Sequence, residues 1–165
     1  MSGPQTVAGT EISIALGGPA TLDPAGYAAV DFTLIGEITD GGAHGRTYAE
    51  VTHQPINTRG TQKFKGSFNE GTKTLQLAVD EADEGQMLLK IALNSDADFS
   101  FKVKYQDGGI DYFQAKVLSF EQATAGVDSM RTATVGLSLT TSKTGIGIVE
   151  VPAPSGNQPL PVFPD

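Results

Sequence analysis

His44 and His53 are the only histidines in the 165-residue chain, and they are its only candidates for a catalytic base. A Ser-His-Asp arrangement is compatible with their spacing, but no Gly-x-Ser-x-Gly nucleophile elbow is present. Two histidines without a nearby fixed carboxylate make a poor metal site, and their spacing does not fit a zinc pair on one helix. The absence of cysteine excludes disulfides, thiol catalysis and iron–sulfur clusters. These residue types therefore predict a protein without catalysis.

Three loops resemble cofactor motifs, and each fails at a position that the chemistry requires. Residues 94–98 begin like a calcium loop, but Phe99 stands where the sharp turn needs glycine. Residues 41–47 resemble a phosphate loop, but the glycine spacing is one residue short and Arg46 replaces the lysine. Gly145-Ile146-Gly147 lacks the third glycine of a dinucleotide site. We therefore predict no metal and no cofactor.

The charge balance limits the classes of partner. The chain has 19 Asp and Glu against 11 Lys and Arg, for a formal net charge of −8. A protein that binds nucleic acid or anionic lipid needs a basic footprint, so both classes are disfavoured. No apolar run reaches the roughly 18–20 residues that cross a bilayer, and residues 1–10 show no secretory signal. We expect a soluble protein that is made in the cytoplasm and has no membrane partner.

Most of the chain shows the period-two alternation of half-buried strands. In the clearest example, Phe99, Phe101, Val103 and Tyr105 share one face, and a Gly-Gly turn then leads into a strand from about 111 to 120. The other alternating segments cover residues 12–16, 32–38, 64–68, 75–79 and 133–139. The sequence thus predicts a mainly β protein with antiparallel strands.

One segment has a helical period instead. It predicts a single helix at about residues 81–94, packed on the sheet, with Asp80 as its N-cap. Acidic residues in the first turn suit the positive end of the helix dipole. The apolar residues at helical spacing are Met87, Leu88, Ile91 and Ala92.

Charged side chains occur around this helix and on the outer face of the predicted hairpin. They could form complementary patches between two copies of the chain, or they could cap the helix and keep the hairpin solvated. The candidate subunit contacts are Asp80, Glu81, Asp83, Glu84, Lys102, Lys104 and Lys116.

Residues 39–62 and 145–165 show no sustained period. A loop of more than about 20 residues is uncommon in a compact domain and is usually functional or disordered. The tail at 145–165 contains five prolines and is expected to form no regular element, although its apolar end at 159–164 could lie extended on a neighbour. We therefore predict one β domain at 1–144, with a long loop at 39–62, and a Pro/Gly-rich tail at 145–165.

The order of these motifs resembles the tail tube proteins of long-tailed, siphovirus-like bacteriophages. Residues 80–92 are similar to the helix of that family, with an acidic residue before a Gly-Gln pair and an amphipathic helix after it. Residues 64–77 resemble the strand pair before that helix, and residues 99–120 resemble the hairpin after it. Ile35-Gly36-Glu37-Ile38 is similar to an early strand that precedes a long loop in the family.

The resemblance implies an antiparallel β-sandwich or barrel with one flanking helix, and a structural role in the virion tail after synthesis in the host cytoplasm. Subunits of this family form hexameric rings that stack into a tube, through which DNA passes without being bound. Other tail proteins would be further partners. The loop at 39–62 would reach the adjacent ring. The candidate inter-ring contacts are Asp40, His44, Arg46, Tyr48, Glu50 and Arg59.

Two alternative functions remain open from the sequence. The first is a related tube-like component, such as a tail terminator, a baseplate hub ring or the tube of a secretion system. The second is a β-sandwich module for carbohydrate binding or adhesion, which usually needs exposed aromatic side chains. The chain has no Trp, and Phe101 and Tyr105 fall on the apolar face of their strand, which disfavours the second alternative.

Overall fold

The computed structural model of the chain describes residues 3–153. Its strands are β1 (Glu11–Ala15), β2 (Thr33–Leu34), β3 (Ile38–Asp40), β4 (Thr47–His53), β5 (Gln62–Asn69), β6 (Thr72–Ala78), β7 (Phe99–Lys104), β8 (Ile110–Ala123), β9 (Thr132–Thr140) and β10 (Val149–Val151). Its helices are α1 (Pro24–Ala28) and α2 (Glu84–Leu93). The main sheet has the order β2-β1-β7-β8-β9-β6-β3, with β10 paired to the start of β8, and all of its pairings are antiparallel.

The main sheet curls into a half-barrel, and one short segment supplies both of its outermost strands. β2 pairs with β1 and β3 pairs with β6, although only residues 35–37 separate β2 from β3. Ile35 N donates to Ile12 O, and Ala78 N donates to Glu37 O. The chain therefore crosses from one edge of the sheet to the other within three residues. This architecture confirms the predicted fold class.

The core lies on the inner face of the curled sheet, where the predicted alternation is confirmed for most strands. On β7 the buried apolar side chains are Phe99, Phe101 and Val103, and the Phe101 ring stacks on Phe113 of β8 with 5.6 Å between centroids. β6 and β9 contribute two further inner rows of the core: Leu75, Leu77, Ala133, Val135, Leu137 and Leu139. Phe64, expected on a half-buried strand, is instead exposed.

The single long helix, α2, exists as predicted but begins later and presents a different face. Its N-cap is Asp83 rather than Asp80, because the Asp83 carboxylate accepts the Gln86 backbone N–H at 3.0 Å. The residues of α2 that are buried against the sheet are Gly85, Gln86, Leu89 and Ala92. Met87 and Ile91, predicted to be on the apolar inner face, are about half exposed, at 47% and 53%. That part of the prediction was wrong.

A short helix that the alternation did not predict, α1, covers the outer face of the sheet. Asp23 caps it by accepting the Gly26 N–H, and Pro24 occupies the first turn, where its missing N–H costs nothing. Tyr27 of α1 is fully buried and stacks on Tyr112 of β8, with 4.9 Å between ring centroids. Within residues 3–153, neither helix has the length and apolar character needed to span a membrane.

Regular structure also occurs where none was predicted. Residues 39–62 contain β4, which pairs with β5 in a two-stranded ribbon separate from the main sheet. Every β4 side chain is exposed, so the strand has no buried face to impose an alternating pattern. In the tail, Val149–Val151 pairs with the start of β8, because Ile110–Tyr112 extends beyond the end of β9. The apolar end at 159–164 lies outside the described residues.

Candidate assembly surfaces

The ribbon formed by β4 and β5, residues 47–69, is called the arm. Its pairing places Val51 opposite Phe64 on one face and Glu50 opposite Lys65 on the other, with a register shift between Tyr48 and Glu50. Val51 is 50% exposed and Phe64 is 55% exposed, so the apolar face of the arm is open to solvent. A lone two-stranded hairpin is marginally stable in water, and an open apolar face makes docking against another surface favourable.

The base of the arm is tied to the half-barrel by an ion pair between the partly exposed Arg46 and the buried Glu70. Arg46 Nε donates to Glu70 Oε1 at 2.6 Å, and Glu70 is only 2% exposed. The other Glu70 oxygen accepts the backbone N–H of Ile148 at 3.2 Å, which connects the arm to the C-terminal segment. The Arg46 guanidinium also lies 4.0 Å from the centroid of the Phe68 ring. This arrangement fixes the direction in which the arm leaves the sheet.

A second polar cluster holds the segment that leads into the arm. His44 Nε2 lies 2.7 Å from Asp111 Oδ2, and the same oxygen accepts the Tyr105 hydroxyl at 2.5 Å. Lys73 Nζ lies 3.0 Å from His44 Nδ1 and donates to Gly42 O at 3.3 Å. Because a lysine ammonium can only donate, this geometry makes His44 Nδ1 an acceptor and Nε2 the donor to Asp111. Both ring nitrogens are engaged, so His44 has none free to act as a general base.

The surroundings shift the pKa values of three members of this cluster. Burial lowers the pKa of Lys73 from 10.5 to about 8, although Asp111 and Asp40 oppose the shift. Burial alone would raise the pKa of Asp111, but the hydrogen bonds from His44 and Tyr105 outweigh it and lower that pKa below its ordinary value. Burial and the hydrogen bond to Asp111 raise the pKa of Tyr105.

The sequence identified part of this cluster and missed the rest. Of the six predicted inter-ring contacts, Tyr48, Glu50 and Arg59 belong to the arm, whereas His44 and Arg46 bind their own half-barrel. Asp40 accepts the N–H of Gly42 at 2.8 Å within its own turn. Lys73, Glu70 and Asp111 were missed, although Lys73 shares strand parity with Leu75 and Leu77, a signal of its burial.

The predicted subunit contacts of the helix and hairpin are partly engaged within the chain. Asp83 caps α2, Glu81 pairs with Arg131 at 3.2 Å, and Asp80 accepts the N–H of Ala82. Lys116 pairs with Asp98, and Lys102 lies 5.6 Å from the centroid of the Phe32 ring. Within residues 3–153 no ion pair involves Glu84 or Lys104. The role of these residues between subunits stays a prediction.

The Gly-Gln pair and the early Gly-Glu-Ile strand meet in one structural element, which we call the edge clamp: Gly36, Ala78, Asp80, Asp83 and Gln86. Asp83 accepts the Gly36 N–H at 3.1 Å, and Gln86 Nε2 donates to Gly36 O at 3.1 Å. Gln86 Nε2 also donates to Ala78 O at 3.0 Å, and Gln86 Oε1 accepts the Asp80 N–H at 2.9 Å. The start of α2 thereby holds the crossing segment against β6.

Gly85 allows α2 to approach the crossing segment closely. A β-carbon at this position would lie 2.5 Å from Ile35 Cα and would also overlap Leu34 O. The helix therefore rests on its Gly85 side, which turns Met87 and Ile91 outward. This contact is the physical reason for the error in the predicted helix face.

The described part of the chain contains no group of three or more His, Asp or Glu side chains arranged to hold a metal ion. Its surfaces instead offer an exposed ribbon, an outward apolar helix face and several unpaired charges, which are features of an assembly protein rather than of an enclosed ligand site.

Comparison with known proteins identifies the family. The sequence matches the Lambda phage tail tube protein family, TTP, over residues 20–145. The chain belongs to this family, and its function is that of a structural tail tube protein, which confirms the resemblance and the main function predicted from the sequence. No curated protein matches the chain.

Solved structures of injection machines and of a phage tail share the fold. A chain of the anti-feeding prophage baseplate has a TM-score of 0.64 at 11% identity and covers 92% of this chain and 97% of its own length. The sheath/tube terminator of the PVC extracellular contractile injection system has a TM-score of 0.59 at 9% identity, covering 92% and 99%. The SPP1 tail tube has a TM-score of 0.56 at 14% identity, covering 85% and 76%. At these identities the likeness shows the fold alone.

Proposed function

We propose that copies of this chain assemble into hexameric rings that stack into the phage tail tube, with the arm joining one ring to the next. The arm carries this proposal. Within residues 3–153 its strands pair only with each other; it exposes an apolar face and is fixed at its base by two partly buried polar clusters. Such a rigidly rooted, open ribbon is suited to dock against a neighbouring subunit.

The energy available from docking the arm is sufficient for polymerisation. Full burial of a Val or Phe side chain is worth about 1.5–3 kcal/mol, so completing the burial of Val51 and Phe64 would contribute roughly 1–2 kcal/mol each. Six arms between two rings multiply this contribution, and simultaneous engagement adds avidity. Each arm contact can therefore be weak while the six contacts together hold two rings firmly.

Acidic composition suits a tube that conducts DNA. With a net charge of −8 per chain, an assembled ring repels phosphate, so the duplex can pass without forming the salt-sensitive contacts of a DNA-binding protein. We place the protein in the virion tail after synthesis in the host cytoplasm, with other tail proteins at the ends of the tube. A filter-binding assay at low salt should detect no DNA binding, and submicromolar affinity would contradict this role.

Electron microscopy of the concentrated, purified chain tests assembly, and should show rings and hollow tubes. Phe64→Ser should abolish tubes without lowering the stability of the subunit, since the side chain is exposed. Leu118→Ser is the matched control, because Leu118 is an exposed apolar residue on the half-barrel, outside the arm. Tubes of Phe64→Ser that equal those of the control would remove the arm from the mechanism.

A tail terminator or baseplate ring is the second candidate function. The structural likeness to a baseplate chain and to a sheath/tube terminator supports it. The number of copies in a virion separates these functions, because a tube protein repeats along the tail whereas a terminator or hub forms few rings. Quantitative mass spectrometry of virions, normalised to the capsid protein, measures that number.

A further inference from the structure

The outward side of α2 is apolar where a solvated helix would carry polar residues. Met87 and Ile91 lie one turn apart on this side, about half exposed, and we call them the helix patch. The surface side of an amphipathic helix is normally charged or polar. Leu34, on the adjacent strand β2 that α2 packs against, is also half exposed. Within residues 3–153, the helix patch is therefore an unpartnered surface with room for an apolar partner.

The helix patch lies beside a concentration of negative charge. Asp80, Glu81, Asp83 and Glu84 place four acids within five residues at the start of α2. Only Glu81 among them forms an ion pair within residues 3–153, with the exposed Arg131. A partner for this surface must therefore combine an apolar contact with positive charge.

The arm has these two properties. Residues 47–69 carry Arg59, Lys63 and Lys65 against the single acid Glu50, a balance of 3 − 1 = +2 in a chain whose total is −8. Ile56, near the tip, is fully exposed, and the apolar face of the arm is open. The arm is thus a basic, apolar element, opposite in charge to the start of α2.

We propose that the arm of one copy docks on the helix patch of a second copy, with Ile56 against Met87 and Ile91 and with Arg59 facing Glu84. This inference rests on the proposed assembly and names the surface on which the arm would dock. Two other exposed apolar positions fit less well, because neither lies beside several acids in a row. Leu118 lies two residues from Lys116, which pairs with Asp98, and Val127 lies in a loop with the single acid Asp128.

The absence of native cysteine allows a direct test by disulfide trapping. Ile56→Cys and Met87→Cys are prepared as separate variants, mixed at assembly concentration and oxidised, and the linked peptides are identified by mass spectrometry. The link between positions 56 and 87 should predominate. Val127→Cys replaces Met87→Cys as the control, since Val127 is also fully exposed. Equal linking of position 56 to 127 and to 87 would overturn the proposed pairing.

Charge reversal gives an independent measurement. Glu84→Lys and Arg59→Glu should each raise the concentration needed for tube assembly by about tenfold, and the double variant should recover most of that loss. Glu121→Lys, on an exposed part of β8, is the control and should assemble normally. Wild-type tubes together with unaffected single variants would overturn the pairing alone. A wild-type chain that stays monomeric would overturn the proposed function and the pairing together.

Discussion

Replacing Gln86 by leucine should destabilise the subunit more than any surface change, because Gln86 forms hydrogen bonds to three backbone groups across the edge clamp. Leucine has a similar size but leaves Gly36 O, Ala78 O and the Asp80 N–H without their partner. Gly36 and Ala78 are partly buried and Asp80 is exposed, so each group costs less than the ~1–3 kcal/mol of a fully buried one, and the sum is roughly 2–4 kcal/mol. That loss is a large part of the total stability of a domain of this size.

Urea denaturation of the dilute, unassembled chain measures this loss. With a denaturant slope of about 2 kcal/mol per molar, the midpoint should fall by roughly 1–2 M. Gln122→Leu is the matched control, because Gln122 is exposed near the end of β8. The same substitution there should shift the midpoint by only a few tenths of a molar. A Gln86→Leu midpoint within that range would refute the claim that the clamp closes the sheet.

Three further predictions concern the helix and the base of the arm. Gly85→Ala should lower the melting temperature despite the better helix propensity of alanine, whereas Gly126→Ala, in open space, should not. Lys73 has a folded pKa of about 8 against 10.5, so between these values the unfolded chain binds more protons. Between pH 8 and 10.5 the free energy of unfolding of the wild type should therefore rise with pH relative to that of Lys73→Met, by roughly 3 kcal/mol at most. Urea titrations at several pH values measure this difference. The folded pKa of Asp111 is lowered, so its carboxylate stabilises the fold above pH 3.8. That stability is lost as the pH falls through the folded pKa of Asp111. The free energy of unfolding of Asp111→Asn, measured in urea titrations, should therefore fall less on acidification than that of the wild type.

The core of the half-barrel could be predicted from the sequence because several of its strands alternate apolar core residues with more polar ones. Phe99, Phe101 and Val103 alternate with Ser100 and Lys102, and the structure places the three apolar residues inside. The same argument failed for β4, which is exposed on both faces and is defined by its hydrogen-bond partner rather than by burial. Alternation detects a boundary between core and solvent, and the arm has no such boundary.

The helix illustrates a different limit. Its period identified α2, but two start signals, Asp80 and Asp83, compete within four residues. The choice between them depends on Gly36, which lies 47 residues from Asp83 in sequence and donates its N–H to the Asp83 carboxylate. Once Asp83 caps the helix and Gly85 rests on Ile35, the orientation of α2 follows. No local pattern contains that information.

The polar clusters at the base of the arm were the least predictable part of the molecule. His44 and Asp111 are 67 residues apart, and no spacing rule joins them. Lys73 was the one accessible signal, because a lysine on the core parity of β6 must find buried partners. Taking that lysine as a constraint would have predicted a buried polar cluster, although not the identity of its members.

The edge clamp and the arm divide the requirements of a tube subunit between them. Within the chain, Gln86 and Asp83 of the clamp keep a single crossing segment paired to both edges of the sheet. The arm adds little to the core, so its sequence is free to match a neighbouring copy. Under the proposed assembly, substitutions that alter the contact between copies can concentrate in residues 47–69 and on the helix patch without unfolding the half-barrel. This separation between the clamp and the arm is compatible with a fold that the chain shares with solved structures at 9–14% sequence identity.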